Sequence, residues 1–436
     1  MKSGFFTISQ RLSVPLFGVG SFLIIIRSLS EYEMGAWALF LNMVTTLEVA
    51  RNGLIKGAIV RFYNSEEKSQ HESIRASSLL INTIYTIITT SLLIIFASTI
   101  ANALNTPLLT DMLYLYTISA IFMIPFSHFE YIQQSNMNFK GVFYGYLTKQ
   151  GLFFLTILTT IILLDINVNP RHLVVAQAFG ILIGTIISFK FARKYLSMTL
   201  KIKKEWVKKQ WSFGKYGFLT NVSNSGLTTT DHLLIGGIVS TASVAVYNAA
   251  SRITNIFIIP SVAIADILYP KSVDAQSKSG NDAVRILYEK AVGATLVPMI
   301  PVILIIWAFP ELIIEILAGS KYLDSINVLK VAILSIVLLP FMKQFGTMMN
   351  TLEKPHFNFY FVLSLSIFNL LMNYLFISNI GILGAAYATL LSYFIGFIAS
   401  QIILKRMINS SIKRIVFNTF LFYKDIFNLL SKIKNK

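Results

Sequence analysis

Long apolar runs recur about every 35 residues along nearly the whole chain, and no other feature limits the fold as strongly. A bilayer core of about 30 Å needs roughly 20 residues of helix per crossing. With 55% of 436 residues hydrophobic, 13% charged, and the apolar residues in runs rather than in alternation, this is an integral membrane protein. The spacing predicts an all-α fold with twelve crossings near 12–29, 36–60, 77–98, 108–129, 142–164, 172–189, 213–238, 244–267, 290–309, 326–345, 357–377 and 384–404. The seventh is unusual, because Thr220 to His232 (TNVSNSGLTTTDH) is polar.

Lys and Arg in the connections give the orientation, since basic loops are retained on the cytoplasmic side. Alternate connections (1–11, 61–75, 130–141, 190–215, 269–290, 346–356, 405–436) hold 28 of the 37 basic residues, and the opposite set holds 2. Both termini are therefore expected in the cytoplasm. The net charge of +17 needs no nucleic acid partner, being mostly this asymmetry beside an anionic leaflet. The basic start before an apolar run lacks a small-residue cleavage site, so the first helix is expected to be retained.

Catalytic chemistry finds little footing. The outward connections are short, and no phosphate-binding Gly-Lys-Ser/Thr loop, His-Glu-x-x-His or nucleophile elbow occurs. Zero cysteines exclude disulfides and thiolate catalysis. His71, His128, His172, His232 and His356 stand apart at segment ends without ligand spacing, which reads as interfacial or cavity-lining histidines. No cofactor or metal is expected, and an enzyme is not.

The chain also reads as two six-helix halves. Shifted by about 210 residues, LIIIRSLSEYEMGAWALFLNMV (23–44) lies on LLIGGIVSTASVAVYNAASRIT (233–254): an aliphatic helix end, a short polar turn, then Gly35 or Ala245 opening the next helix. Six crossings per half give both halves one orientation, and such repeats commonly hold a substrate near the midplane. The basic connector 190–215 marks the boundary, with lobes at 1–200 and 201–404 and a tail at 405–436.

Three stretches, the run from IIIRSLSEYEMGAWALFLNMV to RFYN, the turn DHLLIGGIVSTASVAVYNAASRI, and the late LEKPHFNFYFVLSLSIFNLLMNYLFISNIGILGAAYATLLSY, carry a resemblance over nearly the whole chain. The sequence resembles Wzx-type polysaccharide (O-antigen) flippases of the multidrug/oligosaccharidyl-lipid/polysaccharide (MOP) exporter superfamily. That resemblance implies two six-helix lobes around a central cavity, and movement of a polyprenyl-diphosphate-linked oligosaccharide from the cytoplasmic to the outer leaflet of a bacterial inner membrane. It implies membrane lipids, a polysaccharide polymerase and a chain-length regulator as further partners. A multidrug or cation-coupled exporter of the same superfamily is the alternative, and a net acidic, aromatic cavity would be expected of it.

Charges inside the segments are the candidate site, because a charge near the bilayer centre costs about 2.5–3.5 kcal/mol on insertion scales and so faces protein, water or a counter-charge. On the second segment Thr45, Glu48, Asn52 and Lys56 share one quadrant at helical spacing, with Arg51 beside Glu48. Glu48 and Arg51 are read either as a structural pair or as part of a substrate site. On the eighth, Asn248, Arg252, Asn255 and Asp266 fall on one face by the same geometry, and the seventh adds Asn221, Asn224, Thr228 and Asp231 among other hydroxyls and amides. Seven basic residues against Glu48, Asp231 and Asp266 leave a cationic surplus, which favours an anion such as a diphosphate. Arg51, Lys56, Arg252 and Lys330 are the headgroup candidates, although Lys330 and Arg27 can snorkel outward and Lys149 and Lys343 inward. Asn52, Asn221, Asn224, Thr228, Asn248 and Asn255 are expected to line the cavity, and Glu48, Asp231 and Asp266 to be candidates for coupling to H⁺ or Na⁺. Apolar residues at helical spacing from Ile412 to Leu430 predict an amphipathic helix lying on the inner membrane surface.

Overall fold

Ser30 caps the start of a helix two residues after the preceding one ends, and it shows how short polar turns punctuate this chain. Its hydroxyl accepts from the Glu33 amide while the Glu33 carboxylate accepts from the Ser30 amide, a capping box that starts a 35-residue helix. The computed structural model describes residues 16–196 and 201–434. Residues 1–15 of the basic start and first crossing, 197–200 of the connector, and 435–436 of the tail lie outside the described residues.

Every regular element described is helical. The first unit contains α1 (Leu16–Ser28), α2 (Glu31–Ser65), α3 (His71–Ala103), α4 (Leu108–Ser135), α5 (Phe139–Ile157) and α6 (Pro170–Ala192). Then come α7 (Lys204–Ile238), α8 (Thr241–Asn255), α9 (Ile258–Ala308), α10 (Pro310–Leu317), α11 (Ser325–Ile336), α12 (Leu339–Thr351), α13 (Pro355–Ile380), α14 (Ile382–Ile408) and α15 (Ile412–Lys434). Among the described residues, nine helical stretches are long and apolar enough to cross a membrane. The first, second and seventh expected crossings are outside that set: the first is described only from Leu16, where it is helical to Ser28, and α2 and α7 carry the charged and polar residues that lower their mean hydropathy. Large apolar side chains such as Ile95, Ile121, Leu163, Leu304 and Phe394 are exposed, as expected where lipid replaces water.

Two expected crossings are not continuous helices. The segment at 244–267 breaks at Ile256 and Phe257, and the one at 326–345 breaks at Val337 and Leu338. Each break sits just before a proline. A proline ring collides with the carbonyl four residues earlier, which is Ile256 for Pro260 and Ile336 for Pro340, and the chain there falls back on bonds to the third residue before, such as Phe257 to Thr254 at 3.1 Å and Leu338 to Ser335 at 3.0 Å. The helical phase of Asn248 therefore does not carry through to Asp266, and the single four-residue face expected there is not formed. Residues 269–290, expected as a connection, are instead helical within α9 apart from a turn at Gly280, whose φ of 68° favours glycine.

By contacts the chain divides into two compact units, 1–225 with 236–245, and 226–235 with 246–436. In the first, α4 and α5 pack on α6, and α2 packs on α3 and α4. Its core gathers Leu54, Ile59, Ile74, Ile81, Tyr131 and Trp206. Gly53 and Gly217 let the α2 and α7 backbones touch, since a methyl on either would strike the carbonyl of the other. In the second unit α12, α11 and α15 pack on α9, and α13 on α14, around Tyr288, Phe341, Phe345, Met348 and Ile415. The tail thus inserts Ile415 into that core while Val416, Phe417 and Phe420 remain exposed. Side chains from residue 425 on lie outside the described ones.

Candidate functional site

In the first unit, α2 supplies the charges. Arg51 is only 3% exposed, and its charge interacts with Glu48, Tyr131, Tyr116 and Tyr85. Its Nε makes no hydrogen bond. One turn on, Lys56 keeps a side chain 42% exposed, and its Nζ lies 3.6 Å from Oε1 of the nearly buried Glu130 on α4. Glu130 is already satisfied without Lys56: Gln134 donates to Oε1 at 2.9 Å and the Tyr146 hydroxyl to Oε2 at 2.8 Å. Asn52 accepts from the Tyr131 hydroxyl at 2.6 Å, so α2 and α4 are stitched together by polar groups along the α2 stripe.

Glu130 was not singled out in the sequence because it stands where a crossing was expected to give way to a connection. Lys149, expected to snorkel, is instead buried. Gly180 and Gly184 of α6 pack against its backbone, and its ammonium lies 5.3 Å from the Phe126 ring and 3.7 Å from Met123 Sδ.

The amides and hydroxyls of α7 are largely occupied. Asn221 donates to the Val49 carbonyl at 2.8 Å. Thr220, Ser223 and Thr230 return their hydroxyls to carbonyls one turn earlier. Asn224 is exposed. Thr228 is helical, and its side chain lies outside the described ones.

In the second unit the organising group is Asp231. It is 4% exposed, and it accepts from the Tyr247 hydroxyl, from Asn373 Nδ2 at 2.7 Å and from Thr389 Oγ1 at 3.0 Å. Asn373 also donates to Asn369 at 2.9 Å, and Asn369 to Ser392 at 3.2 Å, so α13 and α14 hold the carboxylate through a chain of neutral groups. No Lys or Arg pairs with Asp231 among the described residues. Beside it lies a cavity of about 60 Å³, lined in part by Asp231, His232, Ser251, Asn255, Thr389 and Tyr393. Asn248 and Ser251 approach His232 Nε2 at 3.3 and 3.4 Å, and Asn248 is buried.

Arg252 keeps exposed surface on α8 although protein crowds its guanidinium, and Asn255 is exposed on the same helix. Lys330 is exposed on α11. Asp266 interacts electrostatically with Lys343, so neither stands as an isolated charge. Among the described residues no cluster of three His, Cys, Asp or Glu side chains could hold a metal.

Residues 24–327, well over half the chain, match the model of a family described as polysaccharide biosynthesis protein. The chain belongs to this family. The sequence is also 23% identical over 219 residues to the "Probable low-salt glycan biosynthesis flippase Agl15" of Haloferax volcanii, covering 50% of this chain and 46% of that one. The chain spans about half the length of the curated relatives it matches.

Solved structures agree on the fold. Lipid II flippase MurJ in an inward closed conformation superposes with a TM-score of 0.78 over 95% of this chain and 90% of that one. An inward-facing multidrug resistance MATE family transporter of the MOP superfamily superposes at 0.76 over 92% and 99%. Both are 16% identical, so the shared property is the MOP fold.

Proposed function

We propose that this family member is a flippase that carries a polyprenyl-diphosphate-linked oligosaccharide, of the O-antigen, capsule or related kind, from the cytoplasmic to the outer leaflet by alternating access. The observation that carries the reading is that each unit presents a cation with exposed surface on a helix of an apolar chain, Lys56 in the first unit and Arg252 in the second. A cation within a membrane-spanning segment is costly against lipid, so it faces protein, water or an anionic cargo. Arg252 offers the two-pronged donor geometry that phosphate oxygens accept, and Lys56 a compact point charge.

Lys56 can leave Glu130 cheaply, because the pair is long and Glu130 keeps two neutral donors. Arg51, buried in this conformation, joins the headgroup site only when the surrounding tyrosines part. Flippase-named relatives and the MOP fold support the reading.

The proposal extends to topology: twelve crossings in lobes at 1–200 and 201–404, a tail at 405–436, and both termini on the cytoplasmic side of the cytoplasmic membrane. Asp231 is the coupling candidate, since a buried carboxylate held only by neutral donors, beside a cavity large enough for a water or small cation, can exchange H⁺ or Na⁺.

A strain lacking its own oligosaccharide exporter supplies the test. Expression of this chain should restore surface glycan and clear the lipid-linked precursor from the inner leaflet. Resistance to cationic dyes with no glycan restored would instead support the multidrug alternative and overturn the proposal.

A further inference from the structure

The junction between α14 and α15 holds a second cavity, of about 470 Å³, within the second unit and apart from Asp231 and Arg252. Two of its lining groups are buried polar atoms without partners. Ser410 is 4% exposed and Gln401 8%, and neither Ser410 Oγ nor Gln401 Oε1 makes a hydrogen bond. Leaving such atoms unpaired is costly, and a ligand that supplies one acceptor and one donor would relieve both.

Charge around the cavity has one sign. Lys405 and Lys413 line it, both exposed, and neither pairs with a carboxylate among the described residues. An acidic side chain at the junction, Glu289, is taken up: Arg414 Nε donates to its two oxygens at 2.9 and 3.0 Å, and the Ser411 amide to Oε1 at 2.9 Å. The 23-residue helix α15 starts here, so its positive end adds to the field. The remaining walls are apolar, with Ile398, Ile402 and Ile412 exposed, and they run on into Val416, Phe417 and Phe420 along the outer side of α15.

We propose that this junction is a binding site for an anionic phospholipid, its phosphate against Lys405 and Lys413 and an acyl chain along Ile398, Ile402 and the exposed side of α15. Ser410 Oγ donates to a phosphate oxygen, and Gln401 Oε1 accepts from a headgroup hydroxyl, the combination that phosphatidylglycerol provides. The apolar continuation distinguishes a lipid from free phosphate or a soluble acidic peptide, which would use only the cations.

The test titrates delipidated full-length protein in neutral detergent with phosphatidylglycerol, phosphatidylcholine, inorganic phosphate or an oligoglutamate peptide, reading adducts by native mass spectrometry. Phosphatidylglycerol should bind in preference to phosphatidylcholine, and inorganic phosphate should not displace it. Lys405→Gln and Lys413→Gln should each weaken it by about fivefold, the worth of one basic residue at an anionic surface. The double variant should lose the preference while its lipid-free melting temperature stays that of the parent, because both side chains are exposed. With the cations intact, Ser410→Ala should weaken both phospholipids, because both carry the phosphate, whereas Gln401→Met should weaken phosphatidylglycerol but not phosphatidylcholine, which has no headgroup hydroxyl. Equal binding of the two lipids, unchanged binding in the double variant, displacement by inorganic phosphate, or oligoglutamate binding as tightly as the lipid would each overturn the assignment.

Discussion

Lys56 and Asp231 are both charges on helices that must sit in an apolar setting, yet they are stabilised in opposite ways. Lys56 meets a full counter-charge, but at 3.6 Å and with much of its side chain exposed, so the pair is loose. Asp231 has no counter-charge among the described residues and is 4% exposed, and three neutral donors hold it. The first arrangement leaves a cation able to change partners. The second leaves a buried carboxylate that a proton or a small cation can neutralise. On the proposed function these are the two requirements of a coupled carrier: one group that grips an anionic cargo, and one that responds to a cation.

Removing the Asp231 charge should have the largest effect. Asp231→Asn keeps the size of the side chain but loses three charge-assisted bonds and the affinity for a cation, so transport should fall by about tenfold or more. Abundance should remain near that of the parent, and the residual transport should no longer depend on H⁺ or Na⁺ gradients. Undiminished gradient dependence in Asp231→Asn would mean that coupling lies elsewhere.

Arg252 comes next. Arg252→Ala should cost roughly five- to tenfold in export, about 1–1.4 kcal/mol, and Arg252→Lys clearly less, because solvent exposure reduces a charge-assisted contact to phosphate below its usual value of about 1.5–3 kcal/mol and Lys retains the charge without the fork. Equal loss in both would point to packing rather than to phosphate.

Arg51 separates a structural role from a binding one. Exchanging the pair, as Glu48→Arg with Arg51→Glu, restores opposite charges along α2 and should recover protein level in the membrane. It should not recover export, since the position that joins the headgroup would then be acidic. Full export by the exchanged protein would reduce Arg51 to a structural partner of Glu48.

The smallest change is expected at Lys56. A half-exposed pair contributes about 0–1 kcal/mol, so Lys56→Gln should lower export by no more than about fivefold. Glu130→Gln should leave the protein folded, because its Gln134 and Tyr146 contacts survive, and export should be unchanged or higher as Lys56 is released. A collapse in abundance for Glu130→Gln would show that the ion pair, not its neutral partners, stabilises α2 against α4.

Much of this was legible in the sequence, and the limits have physical causes. The runs of apolar residues gave an all-helical membrane fold, and charges within them marked Arg51, Lys56 and Asp231, because burial in a low-dielectric setting makes any charge conspicuous. The partners were less visible. Asn373 and Thr389 meet Asp231, and Asn369 backs Asn373, from more than 130 residues away in the chain, on helices whose composition reads as ordinary membrane-spanning sequence. Their one local signal was two asparagines four residues apart in an apolar run.

The breaks at Ile256 and Val337 had a readable cause in Pro260 and Pro340, but hydropathy does not register a lost hydrogen bond. For the same reason the face through Asn248, Arg252, Asn255 and Asp266 looked continuous when the helix is not.

Reconstitution gives the most direct test of the cargo. Purified protein in vesicles carrying a labelled polyprenyl-diphosphate oligosaccharide in both leaflets should make the inward-facing pool accessible to an external glycan-modifying enzyme. Protein-free vesicles should expose only the outer pool, and an analogue lacking both phosphates should move far more slowly. Vesicles with the protein that expose no more glycan than protein-free ones, or that move the phosphate-free analogue as fast as the diphosphate, would contradict the account.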